Sequence, residues 1–67
     1  MSDYIELIYD SIVHRTAKAV LFNFGEEKRW IPISVMHPDS FPLNEMGGEV
    51  IVEQWFVEKE GLEGFEA

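Results

Sequence analysis

Lys28-Arg29-Trp30-Ile31-Pro32-Ile33-Ser34 lies at the middle of the chain and is its most constrained stretch. Trp30 and Ile31 favour a pleated, half-buried backbone. They run into Pro32, which has no N–H to donate to a strand ladder. A strand therefore stops at Pro32. Its start is set by Gly25-Glu26-Glu27, where glycine supplies the positive φ of a hairpin turn. A strand with an apolar face needs neighbours to cover that face, so strands must lie both before and after it.

Upstream, Ala17 to Phe24 reads as the first arm of this hairpin, with Arg29 to Pro32 returning antiparallel. Val20, Phe22 and Phe24 share one face with Lys18, and Ala19, Leu21 and Asn23 share the other. Apolar residues on both faces suit a central strand of a small closed sheet. Tyr4 to Val13 places Ile5, Leu7 and Tyr9 at period two and reads as one half-buried strand. His14-Arg15-Thr16 interrupts it, as a turn or as a bend in a long strand. Met1 to Asp3 is a polar, frayed start.

Downstream, Ile33 to Met36 reads as a short helical or 3-10 turn, with Val35 or Met36 plugging one end of a barrel. Residues 37–48 form a long loop, because His37-Pro38-Asp39-Ser40-Phe41-Pro42 is turn chemistry and Gly47-Gly48 reads as a flexible joint. Glu49 to Glu53 is a strand, with Val50 and Val52 on one face and Glu49, Ile51 and Glu53 on the other. Gln54 to Glu60 has helical spacing and is closed by Gly61. Residues 61–67 make a thin acidic tail with Leu62 and Phe65 as apolar anchors.

Residues 1–67 thus make a single domain of mainly β class: a small antiparallel, partly closed barrel of four to five strands with a short C-terminal helix. Its expected core is Ile5, Leu7, Val20, Phe22, Trp30, Val50, Val52 and Trp55. The apolar share of 46% and nine aromatics suit a folded chain. With no cysteine, neither a disulfide nor a thiolate metal site can staple it, so apolar packing or a partner subunit must. No signal peptide is evident, and no apolar run approaches the roughly 20 residues that span a membrane. The expectation is a soluble protein of a bacterial host's cytoplasm.

Five Lys and Arg stand against 13 Asp and Glu, a formal net charge of −8. Nonspecific nucleic-acid binding relies on neutralising phosphates with cations, so this balance opposes it. It favours approach to a basic protein surface, or competition with nucleic acid for one. The charge is also segregated. Arg15, Lys18, Lys28 and Arg29 cluster around the hairpin, whereas Glu49, Glu53, Glu58, Glu60, Glu63 and Glu66 crowd the last third beside Lys59 alone.

Catalytic constellations are thin. His14 and His37 stand apart, and a metal site wants several His, Asp or Glu together. Ser34 and Ser40 flank His37, which is proximity in sequence only. There is no glycine-rich phosphate loop. The reading is no enzyme, no cofactor and no metal. The partner-binding candidates are Glu49, Glu53, Glu58, Glu60 and Glu63, an acidic face for a basic host protein. The alternative is a nucleic-acid contact at Lys18, Lys28, Arg29 and Trp30, where aromatics would stack bases. A third class is a structural subunit whose edge strand pairs with a copy of itself.

The layout Lys18-Ala19-Val20-Leu21, then Trp30-Ile31-Pro32-Ile33-Ser34, then Trp55 and Lys59-Glu60-Gly61-Leu62 resembles a group of small phage and prophage proteins. The resemblance covers Thr16 to Leu62. It implies a small β-barrel-like fold and a mobile-element origin, and carries no catalytic activity with it. The chain departs from that layout in the long loop from His37 to Gly48. It departs again at Ile33, where a polar or basic residue is more usual.

Overall fold

The computed structural model describes residues 3–67, so Met1 and Ser2 of the expected frayed start lie outside the described residues. Five strands form two antiparallel sheets. In the first, β1 (Tyr4–Tyr9) pairs with β5 (Gly48–Glu53). In the second, β2 (Ser11–Arg15), β3 (Ala19–Asn23) and β4 (Lys28–Pro32) form a meander with β3 in the middle. The mainly β class holds, but the two sheets do not close into a barrel.

The single strand expected from Tyr4 to Val13 is two strands that belong to different sheets. The corner is Asp10, whose N–H donates to the Asn23 carbonyl at 2.7 Å. Leu7 and Tyr9 point inward from β1, whereas Ile12 packs on the core from β2, opposite Phe22. The inward parity shifts between Tyr9 and Ile12, as it must where a chain changes sheet. A bulge at Val13 shifts the register again, so His14 and Arg15 lie inside β2 rather than in an interruption.

The core takes Leu7, Tyr9, Val50 and Val52 from one sheet and Val20, Phe22 and Ile31 from the other. Phe24, Val35, Met36, Leu43, Phe56, Val57 and Leu62 complete it. Burying each of the larger side chains contributes about 2 kcal/mol. Ile5 packs against this cluster from its margin. Trp30 and Trp55, expected inside, are 47% and 52% exposed. In β4 the pairing of Ile31 with Val20 turns Ile31 inward and so sends Trp30 out. In the helix α1 (Gln54–Glu60) the buried positions are Phe56 and Val57, one step beyond Trp55.

The connections are firmly held. Ile33–Val35 is the expected 3-10 turn, and both Val35 and Met36 are buried. Met36 bridges Val52 on the outer side of β5. The Ser40 hydroxyl accepts from the Ile51 N–H at 2.8 Å and donates to the Ile51 carbonyl at 3.2 Å. The Tyr9 hydroxyl clasps Asn44, donating to its carbonyl at 2.9 Å and accepting from its N–H at 3.1 Å. Arg15 donates to the Leu43 carbonyl and pairs with Glu45. Residues 37–48 are therefore a brace laid across both sheets. Gly47, read as a flexible joint, is wedged in place: a Cβ there would meet the Asp10 carbonyl oxygen at 2.7 Å, and its φ is 112°.

Gly61 closes α1 in left-handed backbone, so that the Leu62 N–H reaches back to Val57 at 2.9 Å while Leu62 is fully buried. The chain then turns through Glu63–Phe65. Glu66 bridges Leu7, and the Ala67 N–H donates to the Glu6 carbonyl at 2.9 Å. The acidic tail is a docked segment that covers the outer edge of β1.

Candidate functional site

Three acids meet on the outer face of the β1–β5 sheet. Leu7, Tyr9, Val50 and Val52 point into the core, so their strand neighbours point away from it. The register sets Tyr4 opposite Glu53, Glu6 opposite Ile51, and Ile8 opposite Glu49. Each row across the sheet thus holds one acid and one apolar residue, and the acids alternate between strands. Tyr4, Glu6, Ile8 and Glu49 are exposed, while Ile51 and Glu53 are half-buried. None of the three glutamates has an ion-pair partner among the described residues, where the pairs are Arg15–Glu45, Arg29–Glu27 and His37–Asp39. Directly opposed residues lie about 5 Å apart at Cα, so the patch is a compact mixture of carboxylates and apolar groups.

Glu49 and Glu53 were anticipated from the Glu-Val-Ile-Val-Glu alternation. Glu6, Tyr4 and Ile8 were not, because nothing local shows that β1 lies beside β5, more than 40 residues away. Glu58, Glu60 and Glu63 arise from α1 and the turn after it, not from the sheet. Glu58 accepts from the Gln54 side-chain amide at 2.9 Å, and Glu60 is half-buried.

The alternative group is dispersed. Lys28 and Trp30 share the outer face of β4. Arg29 lies on the opposite face, half-buried and paired with Glu27 at 3.1 Å. Lys18 is at the far end of the hairpin, where its carbonyl accepts from the Ile33 N–H at 2.8 Å. With Lys28 opposite Asn23, about 17 Å of strand separates Lys28 from Lys18.

Trp30 does have neighbours. His14, Leu21 and Trp30 stand in one row across the three-stranded sheet. The His14 and Trp30 rings meet edge to face, 6.1 Å between centroids.

His37 and Tyr9 serve structure. His37 Nδ1 accepts from the Asp39 N–H at 3.0 Å, which caps the 3-10 turn Pro38–Ser40. Its ring meets Tyr4 edge-on at 4.8 Å. The Ser40 hydroxyl is committed to Ile51, so His37 and Ser40 do not form a base–nucleophile pair. Burial pushes the Tyr9 hydroxyl above its ordinary pKa of 10.0, opposed by the Asn44 hydrogen bond and the Arg15 charge. Among the described residues no cluster of three His, Asp or Glu is placed to hold a metal ion. None of their helices is long and apolar enough to cross a membrane.

No protein-family model matches the chain, and no curated protein or solved structure matches it.

Proposed function

We propose that this chain is a non-enzymatic accessory protein of a phage or other mobile element. It binds a basic surface of a bacterial host protein through the outer face of the β1–β5 sheet. The observation that supports this is the interleaving of Glu6, Glu49 and Glu53 with exposed Tyr4 and Ile8 and half-buried Ile51. Unpaired carboxylates supply steering and register. The apolar groups between them supply area that carboxylates alone lack. A face kept acidic only against aggregation gains nothing from an exposed tyrosine and isoleucine in the same patch.

Basic protein surfaces commonly serve to bind phosphates, so the target class is a protein that handles nucleic acid, including a defence enzyme. Occupying that surface would block it. The resemblance to small phage and prophage proteins favours the same setting.

The test is capture from bacterial lysate on immobilised protein, with and without nuclease. The wild-type chain is compared with a Glu6→Gln, Glu49→Gln, Glu53→Gln variant and with a Glu58→Gln, Glu60→Gln, Glu63→Gln variant. The expected result is one basic protein retained after nuclease treatment, released by salt, and lost with the sheet variant. Retention that survives the sheet variant but not the helix variant would move the contact to α1. Retention that disappears with nuclease would point to a nucleic-acid module.

A further inference from the structure

The sheet edges are unequally protected. The outer edge of β1 is met by Glu66 and Ala67, and that of β5 by Met36, His37 and Ser40. The Ile12 N–H on β2 donates to the Glu45 carbonyl at 3.1 Å. Strand β4 is the exception: among the described residues nothing pairs with its outer side.

The direction of its backbone groups follows from the hairpin. Phe24 donates to Glu27, and Ile33 donates to Lys18. Both pairs share the parity of Phe22–Arg29 and Val20–Ile31 in the register. Antiparallel ladders alternate bonded and non-bonded pairs, so Arg29 and Ile31 turn their N–H and C=O groups toward β3. Lys28, Trp30 and Pro32 turn theirs outward. The open edge therefore offers N–H and C=O at Lys28 and Trp30, and a C=O alone at Pro32.

We propose that this edge pairs with β4 of a second copy, antiparallel and centred on Trp30. Trp30 then exchanges both backbone hydrogen bonds with Trp30 of the second copy. Lys28 of each copy donates to the Pro32 carbonyl of the other, and the missing proline N–H leaves only the two Lys28 carbonyls without a donor. The three-stranded sheets join into one. On its outer face the row His14–Leu21–Trp30 continues through Trp30, Leu21 and His14 of the second copy, and the two tryptophans become direct cross-strand neighbours.

Backbone hydrogen bonding and charge together select this register. Lys28 faces proline and Arg29 faces Ile31, so no cation opposes a cation. Each hairpin is acidic at its tip, Glu26 and Glu27, and carries Lys18 at its other end. Antiparallel pairing places Glu27 opposite Ile33 of the second copy, whose other neighbour is Lys18 of that copy. The acidic tip of each copy thus lies two strand spacings, about 10 Å, from the other's lysine. The surface is separate from the β1–β5 face, and its test does not depend on that reading.

The test is sedimentation velocity over a concentration series, with circular dichroism as the check on folding. The expected result is a reversible dimer for the wild-type chain. Trp30→Glu and Trp30→Lys each set like charges opposite one another and weaken association by about tenfold or more. An equimolar mixture of the two restores a dimer. That recovery also keeps the test decisive where one variant alone folds poorly, because only direct opposition of the two positions produces it. A wild-type chain that stays monomeric at millimolar concentration overturns the proposal. So does a dimer unmoved by either variant, or a mixture that shows no recovery.

Discussion

The Phe65 ring stacks on the Phe24 ring, with centroids 4.6 Å apart and planes 17° from parallel. Phe24 ends the first arm of the central hairpin and in turn lies beside Phe22, 6.0 Å between centroids. The last residues of the chain are thereby held on the three-stranded sheet while Glu66 lies opposite Leu7 and the Ala67 N–H donates to the Glu6 carbonyl of β1. Phe65→Ala is expected to cost about 2 kcal/mol from lost ring packing. Urea denaturation measures the loss. Hydrogen exchange at Ala67 should accelerate more than exchange in β3.

Tyr9→Phe removes a hydroxyl that satisfies both backbone groups of Asn44. The expected cost is about 1–2 kcal/mol, since a donor and an acceptor lose their partner together. The same variant changes the alkaline limb of stability. The folded pKa of Tyr9 is raised. Its contribution is therefore complete below the ordinary value of 10.0 and is lost as pH rises through the folded pKa. Thermal melts between neutral pH and strongly alkaline pH should fall less steeply for Tyr9→Phe than for the wild type.

Gly47→Ala sets a methyl group at 2.7 Å from a backbone oxygen, at a φ of 112° that side chains avoid. Neither Asp10 nor the brace can yield without moving the corner between the sheets. The expected loss is about 2–4 kcal/mol. Gly64→Ala is the control. It meets nothing within 4 Å and should shift the melting temperature little.

Pro32→Ala is expected to leave the fold intact, with stability changed by less than about 1 kcal/mol. The proline sits where its absent N–H would point away from β3. A thermal melt that loses its cooperative transition would refute this. The restored N–H should tighten self-association, because the Lys28 carbonyl of the second copy then gains a donor. Sedimentation at matched concentration reads that change.

Local chemistry carried far in this chain. The strand ends at Pro32 as expected, although the absent N–H points away from β3 and the Ile33 N–H still donates to the Lys18 carbonyl. Gly61 closed the helix and Gly25 the hairpin because positive φ belongs to glycine, and both glycines adopt it, at 68° and 101°. Val50 and Val52 were legible as core because glutamates alternate with them, and Val20 and Phe22 because the larger apolar residues of their strand share one face. Trp30 and Trp55 were misplaced because size was allowed to outweigh register. Ile31 and Phe56, one position further on, take the buried places, and a single-residue step inverts every facing.

Other features could come only from tertiary structure, since they depend on contacts between distant segments. The corner at Asp10 exists because β1 pairs with β5 while β2 pairs with β3, and that choice is made by residues tens of positions apart. The brace through Asn44 is ordered by Tyr9, 35 residues earlier. The acidic patch needed Glu6 brought beside Ile51, between Glu49 and Glu53. Sequence alone determined the strand-forming character of these segments, the glycine turns at Gly25 and Gly61 and the excess of negative charge, because propensity and net charge are local or additive. Which strands became neighbours, which edge stayed open and which glutamates share a face were decided by packing.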